Sequence, residues 1–478
     1  MKRRAFLRNV ALGTAGCALG ARAELTFPQL LKIRQPRELK ANDKLNIGVI
    51  GVGGKGWSDW TPMLDYGENI VALCDVDRGT LDRGLKHLQG KGVNPSSVQT
   101  FTDYRKMLDQ VKNLDAVIVA TPDHTHGPAA IRAMKRGCHV YVQKPLVRTI
   151  WEANYFGKVA KEMGVVTQMG NQGSAINGFR RSVEVLQSGI LGNVTEVHVW
   201  TDRAANFWPQ GIARPAGSDP VPATLDWDSW LGTAPDRPFK QGAYHTFRWR
   251  GYYDFGTGAF GDMACHNMNL PIRGLSLGAV ESAECISVEG VSPDHDTYPL
   301  KTVVRVHYAA RKGMVPVDFY WYDGKTRPDI GRLPPQVAAT FGSNLPFGGL
   351  SIIGDKGSLY SYNDRGEEAY ICLKDEAKYK AVQNHEACKD IPETLPRYGL
   401  KGNIYAFQDI EFVNACKGEA KAYSDIDHSV PMVEGISVAC VAQRLAGRKL
   451  NWDAEKKTFG NAEADSFIRP HIRSGWEF

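Results

Sequence analysis

Between residues 44 and 148 short apolar runs alternate with amphipathic stretches. Strands are predicted over 45–50, 69–74, 98–101, 116–120 and 139–142, and helices over 57–64, 80–88, 103–108 and 128–136. The run Ala-Val-Ile-Val-Ala at 116–120 is apolar at every position, so both faces of that strand must be covered. Short buried strands alternating with helices predict a parallel sheet clad on both sides. After Pro145 the pattern changes. A helix over 149–163, a strand over 165–169 and a helix over 179–188 come first. Longer runs rich in β-branched and aromatic residues follow at 194–201, 280–288, 302–308, 315–322, 349–353 and 358–361, and predict one large mixed or antiparallel sheet. Loops rich in Pro, Gly and Trp at 206–238 and 323–348 are long enough to be functional or interfacial. An amphipathic helix over 428–446 and a tail rich in Pro, Arg and aromatics close the chain.

The first residues belong to neither pattern. Arg3-Arg4-Ala5-Phe6-Leu7 is a twin-arginine motif, a weakly apolar run spans 10–19, and Ala21-Arg22-Ala23 is a small-x-small cleavage site. Residues 1–23 are therefore expected to be a twin-arginine signal peptide directing export to the periplasm, with Glu24 as the new N-terminus. Cleavage before Cys17 with lipid attachment is the weaker alternative, because Thr14 stands where a lipoprotein signal wants an aliphatic residue. Residues 24–43 carry no periodicity and read as an arm or linker. The signal also changes the meaning of the charge. It holds five basic residues and no acid, and taking five from the formal +6 leaves +1 for the remainder. A nearly neutral mature chain gives no reason to expect nucleic acid or an anionic membrane as partner. No run of about 18 apolar residues is present, so no membrane span is expected. The nine cysteines are scattered without C-x-x-C, which speaks against zinc and against a disulfide framework.

Gly51-Val52-Gly53-Gly54-Lys55-Gly56 matches G-x-G-x-x-G and lies between a predicted strand and a predicted helix. Asp75 stands 24 positions after Gly51, at the end of the next strand. This is the context that a dinucleotide-binding Rossmann domain requires. Gly51 permits the tight turn, Gly53 lets the backbone approach a pyrophosphate, and Gly56 lets helix pack on strand. The anion then sits at the helix N-terminus, where free N–H groups and the dipole favour negative charge, and Gly54 is counted with these glycines as a cofactor contact. Asp75 accepts hydrogen bonds from ribose hydroxyls and repels a 2′-phosphate, which favours NAD over NADP, with Arg78 as the counter-signal. The segment Thr121-Pro122-Asp123-His124-Thr125-His126 follows the apolar strand and is expected to be a loop beneath the nicotinamide half of the cofactor. Thr121, Pro122, His124 and His126 are counted as cofactor contacts there, with helix capping and loop packing as the rival roles of the two histidines. Asn171, after the strand at 165–169, is counted with them, as are Gln143 and Lys144 at the end of the strand at 139–142.

Two further motifs carry a family resemblance. Gln143-Lys144-Pro145 at a strand end resembles the Glu-Lys-Pro signature of the glucose-fructose oxidoreductase / inositol dehydrogenase / rhizopine-catabolism (Gfo/Idh/MocA) family. Gly256-Thr257-Gly258-Ala259-Phe260-Gly261-Asp262-Met263-Ala264-Cys265-His266 resembles that family's Gly-rich segment ending in D-x-x-x-H. The resemblance extends from Lys44 to the Gly-Arg-Lys-Leu-Asn-Trp-Asp run at 447–453. It implies an α/β fold with a Rossmann domain over 44–148 and an α+β domain with a large open sheet over 149–478, the latter binding substrate and packing a homodimer or homotetramer. It implies NAD as cofactor and a sugar-type substrate. Gln143 departs from the family's Glu and removes a carboxylate beside Lys144.

Alcohol oxidation needs a hydride acceptor and a group that takes the hydroxyl proton. A lysine partly desolvated at the end of a sheet strand can exchange protons or polarise the substrate oxygen. Asp262 and His266, four apart on a helix, share one face, and a carboxylate beside an imidazole orients it. The reading assigns His266 as general base/acid, Asp262 as its orienter or as holder of a substrate hydroxyl, and Lys144 as the group that polarises the reacting oxygen. Which of Lys144 and His266 takes the proton stays open. An ordinary surface helix pair is the rival reading of Asp262 and His266, and two ligands without a third do not make a metal site. Arg180 and Arg181 follow as binding or solvent-facing residues, and one of them is expected to face solvent. Aromatics within 244–253 are candidates for stacking on a sugar and the polar groups of that run for holding its hydroxyls, with packing beneath the turn at 256–261 as the rival role.

Three functions remain. The first is a sugar, polyol or glycoside oxidoreductase. Export implies a tightly held cofactor, since little free NAD exists outside the cytoplasm, and hence paired half-reactions. The second is an NAD-dependent glycoside hydrolase working by transient oxidation and elimination. The third is a non-catalytic sugar-sensing or binding protein.

Overall fold

The computed structural model describes residues 35–478 apart from 312, 364, 399–402 and 404. The expected signal peptide and most of the arm lie outside the described residues.

The first sheet is six-stranded and entirely parallel, with β1 (Asn46–Ile50), β2 (Asn69–Cys74), β3 (Gln99–Phe101), β4 (Ala116–Val119), β5 (His139–Gln143) and β6 (Thr167–Gly170) in the order β3-β2-β1-β4-β5-β6. The helices α1 (Gly54–Asp65), α2 (Arg78–Gly90), α3 (Tyr104–Gln110), α4 (Asp123–Met134) and α5 (Ile150–Met163) connect them. All four residues of β4 are buried, as its uninterrupted apolar run requires. β6 pairs with β5, so this sheet continues to Gly170, past the boundary expected at 148. The helix α5 starts on a capping box. The Thr149 hydroxyl accepts from the Glu152 amide, and the Glu152 carboxylate accepts from the Thr149 amide.

α4 corrects one expectation. Pro128 reads as a helix start, because proline favours the first helical position. The helix in fact begins at Asp123, which turns most of the expected loop 121–126 into its first turns. An interior proline leaves the carbonyl four residues earlier without a donor. Here that carbonyl is His124 O, and the Thr233 hydroxyl donates to it at 3.3 Å. The missing bond is replaced by a tertiary contact that sequence periodicity does not reveal.

Beyond α6 (Asn177–Gln187) the second sheet has nine strands. These are β7 (Val194–Thr201), β8 (Val280–Glu289), β9 (Lys301–Tyr308), β10 (Val317–Tyr322), β11 (Gly348–Gly354), β12 (Gly357–Ser361), β13 (Ala369–Leu373), β14 (Lys380–Ala381) and β15 (Lys449–Asn451). Their order is β14-β13-β12-β11-β7-β10-β9-β8-β15. Only β7 and β10 pair in parallel, so the sheet is mixed, as expected. The short strands β13 to β15 are absent from the sequence reading. The loop expected over 206–238 contains α7's end (Arg203–Asn206) and α8 (Trp227–Leu231). After it come α9 (Gly258–Asn267) and α10 (Asn269–Gly274). The loop expected over 323–348 contains α11 (Pro335–Phe341), whose Val337 and Phe341 pack with Trp200 and Tyr360 against one end of the sheet. The helix α12 (Ala406–Cys416), also unforeseen, sends Phe412 and Val413 into the core of the first sheet. The closing helix α13 (Ile426–Arg444) packs on α5, α9 and β8 and joins the two halves. The last helix is α14 (Ala462–Asp465).

Among the described residues the eight cysteines are buried and form no disulfide. Arg180 and Arg181 are structural. Arg180 is fully buried in an ion pair with Glu411, and Arg181 donates to the carbonyls of Cys388 and Ile391. Neither lies free in solvent, which overturns that expectation. Their partners are more than two hundred residues away in sequence and could not be read locally.

Candidate active site

A cavity of about 620 Å³ opens at the carboxyl ends of the parallel strands. At one end the glycine turn forms its wall. Gly51 has φ +86°, and a Cβ there would come within 2.6 Å of the Ala120 carbonyl, so only glycine fits the turn. A Cβ on Gly53 would lie 2.9 Å from Thr80 Cγ2. Gly56 is buried where α1 crosses β1, and its Cβ would collide with the Gly51 carbonyl. Gly54 and Lys55 line the cavity at the start of α1. Asp75 sits at the end of β2 with one carboxylate oxygen accepting from the Val52 amide (2.9 Å). Burial raises its pKa, against the backbone amides that favour the charged form. Arg83 and Thr80 complete this end, with the guanidinium donating to the hydroxyl at 2.8 Å. The glycine clearances, the acid at the β2 terminus and the size of the space fit a bound dinucleotide.

At the other end three side chains meet. β5 ends at Gln143 and delivers Lys144, while α9 delivers Asp262 and His266 one turn apart. Lys144 Nζ and Asp262 Oδ1 form a buried ion pair. The carboxylate also faces Arg250 Nη1 at 3.1 Å. Arg250 Nη1 in turn contacts Asp123 Oδ1 at 3.1 Å, and Asp123 Oδ2 accepts from the Thr257 hydroxyl at 2.7 Å. Four alternating charges, Lys144, Asp262, Arg250 and Asp123, thus run across the boundary between the two sheets. Burial raises Asp262, but Arg250 and Lys144 outweigh it and hold the carboxyl well below its ordinary range. Burial lowers Lys144, and Arg250 adds to that, against the attraction of Asp262. His266 is lowered well below its usual value by burial, then by the positive charges of Lys144 and Arg365. Its imidazole is therefore neutral. Its Nδ1 is buried with no hydrogen-bond partner among the described residues, an orphaned polar atom beside the cavity.

The expected link from Asp262 to His266 is replaced by the link from Asp262 to Lys144. Helical spacing brings the acid and the imidazole to one face, but the ammonium and guanidinium are the stronger partners for a carboxylate. Thr121, Pro122 and His126 line the cavity, as do Gly51, Gly53, Gly54, Asp75, Gln143 and Lys144. His126 is clamped between the carbonyls of Pro145 (2.7 Å) and Thr121 (2.8 Å), which steadies the turn that carries Lys144. His124 lies outside the lining. It sits between the carbonyls of Trp230 (3.0 Å) and Phe255 (3.3 Å), and burial takes it down to about 4. Asn171 lies behind the wall, donating to the Cys265 carbonyl (3.4 Å) and accepting from Gln408 (3.1 Å). Its neighbour Gln172 lines the cavity instead.

Gln143 explains its departure from the family pattern. Its amide donates to Asp59 Oδ2 at 2.8 Å, while Lys55 holds Asp59 Oδ1 at 2.7 Å. A glutamate at 143 would turn that donor into a second carboxylate facing a buried one.

Sequence reasoning missed Arg203 and Arg365, and named Arg250 and Asp123 only as members of the runs 244–253 and 121–126, with no role of their own. Arg250 stands inside the aromatic run 244–253. There Tyr244, Trp249 and Tyr252 form a buried cluster with Trp230 and Phe255. The run is mostly framework, and its informative member is the charged residue among the rings.

Fold and site together define a two-domain dinucleotide-binding oxidoreductase. The chain belongs to the Gfo/Idh/MocA oxidoreductase family. Residues 45–171 match the model of the family's NAD-binding Rossmann fold, and residues 178–317 match that of its C-terminal alpha/beta domain. A glycosyl hydrolase family 109 protein of Shewanella baltica is 32% identical over 160 residues, 31% of this chain and 35% of that relative. The chain thus matches about a third of the length of such curated relatives. In structure it is similar to the WlbA dehydrogenase of Bordetella pertussis, solved with NADH and UDP-GlcNAcA (TM-score 0.57, 18% identity, 86% of this chain and 98% of that one). It is also similar to an inositol dehydrogenase homolog of Azotobacter vinelandii, solved with NADH and myo-inositol (TM-score 0.57, 17% identity, 88% and 100%).

Proposed function

We propose that this protein oxidises and reduces a hydroxyl-bearing carbon of a sugar, polyol or glycoside, using NAD held at the glycine turn. The observation that carries the reading is the meeting of Lys144, Asp262 and His266 in the cavity that the glycine turn also lines. Bound there, the nicotinamide supplies a hydride acceptor or donor. The chain's own residues handle the proton. Lys144, with lowered proton affinity, binds the reacting oxygen and accepts or returns its proton. Asp262 holds the lysine in place and keeps part of its positive charge compensated. The neutral imidazole of His266 has an unmade hydrogen bond to offer a neighbouring hydroxyl. NADH-bound neighbours solved with myo-inositol and with UDP-GlcNAcA support the substrate class. The test is to denature purified protein, identify any released nucleotide, and follow its redox state against a panel of sugars and glycosides. A Lys144→Ala protein that equals the parent in every assay would favour a sensor instead.

A second reading is glycoside cleavage by transient oxidation and elimination, favoured by the glycosyl hydrolase name of the Shewanella relative. Release of phenol from an aryl glycoside with no net change in NADH distinguishes it. Export through the twin-arginine route and assembly into a dimer or tetramer through the second sheet belong to the same proposal. Cell fractionation and sedimentation test them.

A further inference from the structure

We propose that residues 473–476 form a clasp that holds shut two walls of the dinucleotide cavity, with Arg473 and Trp476 as positioning residues that keep bound nucleotide from leaving. The inference rests on the reading that NAD lies at the glycine turn. It begins from the chain at 224–226, which returns from the second half of the protein to the end of β2. There the Arg78 amide donates to the Thr224 carbonyl (3.0 Å) and the Asp226 amide donates to the Val76 carbonyl (2.9 Å), and Asp77 and Leu225 form an antiparallel bridge. α8 follows at once. Its Ser229 and Trp230 line the cavity, as do Asp75, Val76 and Tyr104 from the first half. A nucleotide that runs from the glycine turn past Asp75 therefore lies between the Rossmann residues and α8. A wall joined to β2 by so short an edge opens easily unless something else ties it down.

Residues 473–476 tie that wall to α3. On the α8 side, Arg473 donates from its amide to the Thr233 carbonyl (3.0 Å), from Nε to the Gly232 carbonyl (3.0 Å) and from Nη2 to the Asp228 carbonyl (2.9 Å). On the α3 side, the Gly475 carbonyl accepts from Arg105 Nη1 at 2.6 Å. The Trp476 ring lies 3.5 Å from the Arg105 guanidinium and 6.0 Å from the Tyr104 ring, and the Arg473 guanidinium stands 5.4 Å from the same indole. One buried indole thus meets cations from both walls. Arg473 also pairs with Asp228 and Asp236, but these acids are 69% and 80% exposed, and such pairs contribute little. The carbonyl and ring contacts carry the clasp. Moving α8 away from α3 to pass a dinucleotide breaks them, whether the nucleotide enters or leaves. A clasp that closes the wall with or without nucleotide slows both directions and leaves the equilibrium little changed.

The experiment uses the full chain loaded with NADH. Nucleotide fluorescence follows release into excess NAD and, in a second run, uptake of NADH by protein freed of nucleotide. In Trp476→Ala and in Arg473→Gln, release and uptake should both quicken by about tenfold, the effect of losing one well-placed contact. Kd should move by less than about threefold, because both rates rise together. Trp476→Phe keeps an aromatic face and should keep part of the retention. Phe478→Ala is the control. That ring packs on Trp151 of α5, at 6.0 Å, and its loss should leave release as in the parent. Equal release by parent, Trp476→Ala and Arg473→Gln overturns the proposal. So does faster release with unchanged uptake, which makes the segment a source of binding energy and not a clasp. A matching gain in Phe478→Ala overturns it too, because general loosening then explains the effect. Should Trp476→Ala fail to fold, Trp476→Phe and Arg473→Gln carry the test. Parent protein that takes up no NADH removes the reading at the glycine turn and the clasp with it. Clasp-dependent release with no redox change on any sugar keeps the clasp and fails the oxidoreductase reading.

Discussion

Lys144 and Asp262 lie 118 positions apart and meet as a buried ion pair across the seam between the two sheets. Neither partner is free to set the other alone. Asp262 also faces Arg250, and Arg250 faces Asp123. The lysine therefore feels two negative neighbours, Asp262 and Asp123, and one positive, Arg250, while burial disfavours its charged form. A base that must act near neutral pH needs such a balance, because an ordinary lysine is protonated there.

The balance makes two substitutions move a pH profile in opposite directions. Asp262→Asn removes the charge that raises Lys144, so its proton leaves more easily and the rising limb of kcat/KM against pH moves down. Arg250→Gln removes a charge that lowers Lys144, so the limb moves up. Each shift should be about one pH unit, the size of a nearby charge effect. Profiles of both variants measured on the same substrate check this. Loss of activity in both with the limb unmoved would mean the relay is merely structural.

Lys144 itself should be indispensable. Lys144→Met keeps the length of the stem and removes the amine. Turnover should fall by about 10²–10⁴, the usual contribution of a positioned proton-transfer group. Nucleotide bound at the glycine turn should remain, because Lys144 stands at the far end of the cavity. A variant that loses nucleotide and turnover together would instead place the lysine among the cofactor's anchors.

The glycine turn predicts a complementary defect. Gly51→Ala places a side chain at φ +86°, a conformation costing about 1–2 kcal/mol for an L-residue, and drives it into the Ala120 carbonyl. Protein purified from this variant should carry far less nucleotide than the parent, measured by absorbance after denaturation. Gly92, with φ +82° and nothing near a Cβ, is the control. Gly92→Ala shares the backbone strain but not the collision, and should keep its nucleotide.

Much of this was visible in the residues. The alternation of apolar strands and helices, G-x-G-x-x-G and Asp75 are local signals, and each appears where the pattern puts it. So do the strand that ends before Lys144 and the i, i+4 pair on α9. What stayed hidden depends on partners distant in sequence. The start of α4 was masked because Pro128 looks like a first residue and the Thr233 hydroxyl that replaces its lost bond is more than a hundred residues away. The pairing of Asp262 with Lys144 and Arg250 rather than with His266 is a choice among partners that only the packed site presents. Arg365 carries no motif at all, and nothing near it in the chain distinguishes it from a surface arginine.

Gln143 offers the last test, because the structure gives it a partner that a glutamate could not satisfy. Burial pushes Asp59 from an ordinary 3.8 up to about 6, against Lys55, Gln143 and Gln172, which favour its charged form. The folded protein therefore holds that proton more tightly than the unfolded chain. The contribution of Asp59 to stability is present below about pH 4 and is lost as pH rises through about 6. Gln143→Glu removes a donor and sets a second carboxylate beside the first, which sharpens the same dependence. The variant should be less stable by about 1–3 kcal/mol at pH 7.5, the cost of leaving a buried acceptor unpaired. At pH 5 the added proton lets one carboxyl donate to the other, and most of the deficit should disappear. Thermal unfolding of parent and variant at the two pH values measures it. A deficit of equal size at both would show that Gln143 fills space and does not act on Asp59 as a hydrogen-bond donor.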